Sequence, residues 1–314
     1  MVMHINLDLL SEDNQLCVEN PKITLGMCVK NNEDTIGYVM RSILLQDYPC
    51  EYMELIVVDG CSRDNTLKII KRYLMGRSLH AKFFQESEGL GFARQMVVDN
   101  ASSKYIIWVD GDTLFPKDFV RKQVEFMNRN SDVGIGRARY GILKGQNYVA
   151  FLENIPFVVE GLKANEETPL GICGTEGAIY RVDAIKQAGG FDMNIRGAGE
   201  DIDLAYRILV KGWKAKVTNA IFYEICKETW KGIWNQYVWW GYGGHYLSHK
   251  NKNVGLFLKM SPLGGFIAGV LRLPYALQLT KRKVLFLLPF HYAFKRLAFC
   301  YGFTKAHIKG YGHV

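Results

Sequence analysis

From residue 23 onward, short apolar runs alternate with segments of helical period. Residues 23–28 (I-T-L-G-M-C) form a strand-like run that feeds the polar turn Lys30-Asn31-Asn32-Glu33-Asp34. Ile36, Val39, Met40, Ile43 and Leu44 then recur at the spacing of one buried helix face. The unit repeats at once: residues 55–58 are a strand, 59–64 a polar loop, and Thr66, Ile69, Ile70 and Tyr73 a helical face. A third strand at residues 82–85 leads through Gly89-Leu90-Gly91 to a helix carrying Ala93, Met96 and Val97. A fourth, Tyr105-Ile106-Ile107-Trp108-Val109, is closed by Asp110-Gly111-Asp112. Pro116 suits the first position of the next helix, whose apolar face is Phe119, Val120, Val124 and Met127. Strands alternating with helices predict an α/β fold with a mostly parallel central sheet sandwiched by helices. Ligands of such sheets bind beyond the carboxyl ends of the strands, where all four polar loops fall.

The pattern loosens afterwards. Residues 133–171 are glycine-punctuated and read as edge strands and loops shaping a substrate pocket. Residues 177–180 read as a strand, 182–187 as a short helix, and Glu200-Asp201-Ile202-Asp203 as the opening of a longer one. Past about residue 229, Trp230, Trp234, Tyr237, Trp239, Trp240, Tyr242 and Tyr246 crowd together, and largely apolar stretches follow at 263–279 and 284–303. Arg272, Pro274, Pro289, Lys295 and Arg296 interrupt these stretches, so neither offers a clean span of about 18 apolar residues. Apolar faces, aromatic rings and the basic Lys281-Arg282-Lys283 fit helices lying in a membrane interface. The alternatives are helices packed on the main domain or a dimer partner, and a pair of tilted spans. The expected division is an N-terminal extension over 1–20, a catalytic domain over 21–228 and a helical membrane-associating region over 229–314.

Composition changes this picture little. A hydrophobic share of 48% with 22% charged residues is ordinary for a globular protein, and a net charge of +8 suits nucleic acid, anionic lipid or phosphorylated ligands alike. The seven cysteines contain no C-x-x-C pair, which supports neither a disulfide framework nor a zinc site built on cysteine. Residues 1–8 lack the basic and apolar regions of a secretory signal, so the expected location is the cytoplasmic face of the cell membrane.

The chemistry starts at Asp110-Gly111-Asp112. An isolated D-x-D is often only a turn. If the chain stays extended, however, the two carboxylates point to one side, and their repulsion is relieved by a hard cation or by protonation.

Several ordered motifs over residues 21–245 resemble the family 2 glycosyltransferases of the GT-A fold, a Rossmann-like nucleotide-sugar-binding architecture. I-T-L-G-M-C-V-K-N-N-E (23–33) is similar to that family's opening strand and Asn/Glu loop, with Asn31 and Glu33 beside the nucleotide. I-V-V-D-G-C-S-R-D-N-T (56–66) resembles its nucleotide element and implies that Asp59 holds the base. G-L-G-F-A-R (89–94) resembles the segment beside the diphosphate and implicates Arg94. D-G-D matches the D-x-D metal site, which implies Asp112 on Mn²⁺ or Mg²⁺ and Asp110 on ribose or metal-bound water. E-D-I-D-L with Arg207 matches the E-D-x-D-L-x-x-R element, which implies Asp201 as the base of an inverting transfer and Glu200 as its partner or substitute. Ser62 and Asp64 are expected to cap the following helix, and Asp203 to favour a helix amino terminus.

Two departures stand out. Glu224 occupies the place where many relatives carry a metal-binding His, and it is itself a hard ligand. Gln236-Tyr237-Val238-Trp239-Trp240 only partly echoes the Q-x-x-R-W of processive synthases, with Trp239 in place of Arg. The resemblance therefore implies transfer of one sugar from a nucleotide diphosphate sugar, UDP- or GDP-linked, to a lipid-linked saccharide or polyprenyl phosphate at a membrane surface. A nucleotidyltransferase, or a non-catalytic nucleotide- or lipid-binding scaffold, is the alternative. The basic residues are too spread for a nucleic-acid partner.

Overall fold

The computed structural model describes residues 20–162, 164, 170–250 and 261–310. Most of the proposed 1–20 extension, and part of the loop before residue 171, lie outside the described residues. Three strand–helix units come first: β1 (Ile23–Val29) and α1 (Ile36–Leu44), β2 (Met53–Asp59) and α2 (Thr66–Leu74), β3 (His80–Gln85) and α3 (Leu90–Asn100). Next come β4 (Tyr105–Val109), the two-residue β5 (Thr113–Leu114), α4 (Phe119–Arg129), β6 (Val133–Tyr140) and α5 (Tyr148–Leu162). β7 (Ala178–Arg181), α6 (Val182–Gln187), α7 (Glu200–Val210) and β8 (Lys214–Glu224) complete the sheet layer, and α8 (Trp230–Lys250), α9 (Pro262–Thr280) and α10 (Leu288–Lys309) follow.

The eight strands form one sheet in the order β3-β2-β1-β4-β7-β6-β8-β5. β1 pairs in parallel with β2 and β4, and β2 with β3, so the loops leaving all four strands emerge at one edge. Beyond β4 the sheet is mixed: β7 is antiparallel to β4 and β6, and β8 runs parallel to β6 but antiparallel to β5. β4 is buried along its whole length, and its alternating side chains feed two cores. Tyr105, Ile107 and Val109 pack with α1 and α4, and Ile106 and Trp108 with α3 and α7. Burying each such side chain contributes about 1.5–3 kcal/mol, which holds the D-G-D segment on a rigid stem.

The structure differs from the sequence expectations in three places. Residues 133–171 hold more than edge strands and loops: β6 lies inside the sheet between β7 and β8, and residues 148–162 form the buried helix α5. α5 is apolar nearly all round and contains Pro156, so it shows neither helical period nor an unbroken run. Pro116 does not open α4; it lies before the helix, and its carbonyl accepts the amide of Phe119. Asp110-Gly111-Asp112 is a turn between β4 and β5, closed by the Thr113 amide on the Asp110 carbonyl at 3.3 Å, and not a continuation of the strand.

The carboxyl-terminal helices form their own layer. α10 packs along α8 and α9, and α9 also meets α5. Glycines bring α8 and α10 into backbone contact: a Cβ at Gly241 would stand 2.1 Å from the Phe299 carbonyl oxygen, and one at Gly302 2.0 Å from that of Val238. Among the described residues no helix is long and apolar enough to cross a membrane.

Candidate active site

The loops after β1 and β2 are laced together. Asn31, at a φ of 54°, donates its amide to Ser62 Oγ at 3.0 Å and accepts the Arg63 amide on Oδ1 at 2.9 Å. Glu33 Oε2 accepts the amide and side chain of Asn65, at 3.0 and 2.8 Å. Asp64 ties both loops to the start of α2, accepting the Thr66 amide and hydroxyl on Oδ1 and the Glu33 amide on Oδ2. Asn31 and Glu33 thus spend their side chains on holding loop to loop. Ser62 bonds Asn31 and does not cap α2. Asp59 is fully buried at the end of β2. Its Oδ2 accepts the Ser62 amide at 3.0 Å and Gln85 Nε2 at 3.3 Å, and its Oδ1 has no partner.

The D-G-D turn sits directly against this pair of loops. A Cβ at position 111 would lie 2.4 Å from the Asn32 side-chain carbon, so a larger residue there would have to displace the Asn32 side chain. The two flanking carboxylates diverge. Asp110 Oδ1 accepts from Arg94 Nη2 at 2.9 Å, and Asp112 Oδ2 lies 3.5 Å from Lys227 Nζ.

Arg94 is the hub of the site. Only 4% exposed, it stacks on Trp108 with its guanidinium carbon 4.8 Å from the ring centre, and donates Nε to Glu200 at 3.0 Å. One side chain on α3 therefore joins the D-G-D turn to the helix that carries Glu200 and Asp201. The resemblance implied a contact with diphosphate; the structure gives Arg94 two internal carboxylates. The amino end of α3 is likewise covered, because the amides of Leu90 and Gly91 donate to the carbonyls of Arg196 and Ile195.

Glu200 and Asp201 open α7 behind Gly199, whose φ is 105°. Asp201 Oδ2 accepts the Thr175 amide at 3.3 Å and Oδ1 accepts the Ile202 amide at 2.7 Å. Burial raises the pKa of both acids against the opposing pull of Arg94, that of Glu200 to about 8 with Asp201 as its second cause. Asp203 lies in the first turn of α7, as expected, and also pairs with Arg207 at 2.7 Å and Lys250 at 2.9 Å.

Burial also raises Asp112, Glu176 and Glu224, and each carboxylate pushes its neighbours further up. Glu224 is registered with Thr113 across the β5–β8 pair while the Ile225 amide binds the Asp112 carbonyl, so Glu224 is one position out of step with Asp112. Asp110, Asp112 and Glu224 consequently do not form one ready-made shell. Among the described residues, three ligand-type side chains come within 4.8 Å of one another only at His245, His249 and His307. The donor chemistry of the acidic pocket still fits a hard divalent cation, since it consists of oxygens crowded enough to raise one another's pKa.

Two residues escaped the sequence reading. Glu176 faces Arg137 at 3.4 Å and comes so close to Asp201 that both crowd a Cβ added at Gly174. Its signal was an acid between glycines at the start of a strand. Lys227 lies three residues beyond Glu224, and only the β5–β8 pairing brings it to Asp112.

Residues 24–189 match the model of Glycosyl transferase family 2. The chain is 23% identical over 250 residues to the poly-beta-1,6-N-acetyl-D-glucosamine synthase of Staphylococcus aureus (strain MSSA476), and 22% identical to that of Staphylococcus epidermidis. Each alignment covers 76% of this chain and 60% of the relative, so the chain spans well under two thirds of the length of these curated relatives. Among solved structures it resembles the mannosyltransferase PcManGT from Pyrobaculum calidifontis, in complex with GDP-Man and Mn²⁺. That match has a TM-score of 0.65 at 17% identity and covers 91% of this chain and 88% of the other. Staphylococcus aureus TarS in complex with UDP matches at a TM-score of 0.53 and 16% identity, over 93% of both chains. The sheet order, the loops at its carboxyl edge and the matched residues agree: this chain has the GT-A fold and belongs to glycosyl transferase family 2.

Proposed function

We propose that the protein is a metal-dependent, inverting glycosyltransferase that moves one sugar from a nucleotide diphosphate sugar to an acceptor presented at a membrane surface. One observation carries the reading: Arg94 ties the D-G-D turn to the Glu200–Asp201 helix, beside the laced loops that frame Asp59. Asp59 Oδ1, buried and without a partner, is the acceptor left for a nucleobase N–H. Asp110 and Asp112 would hold Mn²⁺ or Mg²⁺, with Glu224 adding negative charge to the same pocket. When bound, such an ion neutralises charge developing on the leaving diphosphate.

The protein's own residues supply the rest. Asp201 is the base that takes the acceptor hydroxyl proton, held in place by the amides of Thr175 and Ile202. Burial raises its proton affinity, which moves a carboxylate toward effective base strength near neutral pH. Arg94 keeps Glu200 and Asp110 from collapsing onto other partners. The relatives' donors support a nucleotide sugar in general: GDP-Man accompanies the mannosyltransferase, and UDP or UDP-GlcNAc accompanies TarS.

The outer face of α9 supports the membrane surface. Leu263, Ile267, Val270, Leu271, Tyr275 and Leu279 recur along it and are all 41–71% exposed, with Lys281, Arg282 and Lys283 exposed beyond. An apolar stripe ending in cations is the pattern of an interfacial helix. The deciding experiment incubates the purified protein with UDP- and GDP-sugars, with and without Mn²⁺, and measures nucleotide release. Metal-dependent release that Asp201→Asn abolishes while nucleotide binding persists supports the proposal. No metal-dependent binding or release of any nucleotide refutes it.

A further inference from the structure

Sugar transfer leaves one cluster of ligand-type side chains unused, three imidazoles where α8 meets α10. His245 and His249 are one turn apart on α8, and His307 lies in the last turn of α10. His245 Nε2 stands 3.2 Å from His307 Nδ1 and 3.2 Å from His249 Nε2. His245 is 93% buried (7% exposed), with the Phe303 ring edge-on at 4.9 Å, and its Nδ1 has no hydrogen-bond partner. His249 and His307 are exposed, so the cluster opens to solvent on one side.

Hydrogen bonding alone serves this arrangement poorly. An imidazole nitrogen carries one in-plane proton or one in-plane lone pair. Nε2 of His245 therefore aligns well with one neighbour and reaches the other only through a bent, shared contact. A cation between the rings accepts all three lone pairs at once. Nitrogen ligands lie about 2.0–2.1 Å from zinc, and tetrahedral geometry then sets them about 3.3–3.4 Å apart. Both contacts of His245 are close to that edge length. The scaffold is also firm: besides the glycine contacts of α8 with α10, Tyr242 donates to the Gly310 carbonyl at 2.9 Å just past His307.

We propose that His245, His249 and His307 bind one transition-metal ion of the zinc type, with a fourth position for water, and that the ion clamps α10 to α8. Imidazole ligands select zinc, cobalt, nickel or copper over the hard cations expected at Asp112. The clamp reaches the reaction centre through α8, where Gly243 packs on Ala198 and Leu247 on Gly199, directly before Glu200. The site is independent of the sugar-transfer reading, and either can fail alone.

The test titrates metal-stripped full-length protein with Co²⁺, reading the visible bands of a tetrahedral cobalt site, followed by displacement with Zn²⁺. An Asp112→Asn background separates this site from the acidic pocket, so the signal must persist there. The expected result is one equivalent bound per chain in the Asp112→Asn background and a higher melting temperature with Zn²⁺. Both effects weaken at least tenfold in metal affinity in His249→Ala, an exposed position where folding is safe, and vanish in His245→Ala/His307→Ala. No tetrahedral signal in the wild type, or a signal untouched by His249→Ala, overturns the proposal.

Discussion

The two sides of the crevice are held in opposite ways. On the side of the loops after β1 and β2, Asn31, Ser62, Glu33, Asp64 and Thr66 are tied together by hydrogen bonds between the two loops. On the side of α7 and the D-G-D turn, Glu200 is buried and Asp112, Glu176, Asp201 and Glu224 are half-buried around it, and desolvation raises the proton affinity of each. The first side is a finished mould whose geometry precedes its ligand. The second stores unfavourable charge that a cation, a proton or an acceptor relieves. Preorganisation and electrostatic tension thus lie a few residues apart, and Arg94 is the strut between them.

The contrast breaks most sharply at Asp201. Asp201→Asn is expected to lower transfer by about 10²–10⁴-fold, the usual worth of a positioned base, with nucleotide affinity nearly unchanged; steady-state rates and nucleotide titration separate the two. Next is the strut. Arg94→Met leaves the buried Glu200 and the half-buried Asp110 without their cation, and breaking the buried Arg94–Glu200 pair should cost about 3–5 kcal/mol in denaturant unfolding. Adding Glu200→Gln should recover part of that loss, since an amide replaces the buried carboxyl left without its cation.

A pH series sharpens the electrostatic side. Glu200 titrates at about 8 in the folded protein, above its ordinary 4.5, so the folded state holds the proton that the unfolded chain has lost between these values. Its contribution to stability is fully present below the ordinary value and is lost as pH rises through about 8. Melting curves should therefore fall with pH across this window, and Glu200→Gln should flatten the slope. The smallest expected effect on folding is on α9. Leu263→Glu with Leu271→Glu should change stability by roughly 0.5 kcal/mol or less per site, yet reduce co-sedimentation with anionic vesicles several-fold. Unchanged vesicle binding would count against the interfacial helix.

The parallel half of the sheet was legible because each of its units carries its own period. Ile36, Val39, Met40 and Ile43 are all buried on α1, and β4 is buried at every position, as its continuous apolar run implies. α5 was hidden because burial on all sides erases the polar face that makes a helix recognisable. At the site, the motifs located Asp59, Asp110, Asp112, Glu200 and Asp201 near one another, but not their allegiances. The motif placed Arg94 beside the D-G-D turn, but only the fold brings Glu200, 106 residues away, to its Nε. Lys227 at Asp112 and the His245–His307 contact are likewise products of strand and helix pairing that no local spacing encodes.

Helix α8 carries glycine at 241, 243 and 244, and these lie against two different partners, Phe299 of α10 and Ala198 of the loop before Glu200. At Gly241 and Gly243 backbone is pressed on backbone, which leaves no soft side chain there to absorb a shift. α8 is therefore a gear with little play between the carboxyl-terminal helices and the loop that leads into Glu200. A single methyl group at Gly243 would stand 2.0 Å from the Ala198 carbonyl oxygen, so it would force α8 away from the loop that leads into Glu200.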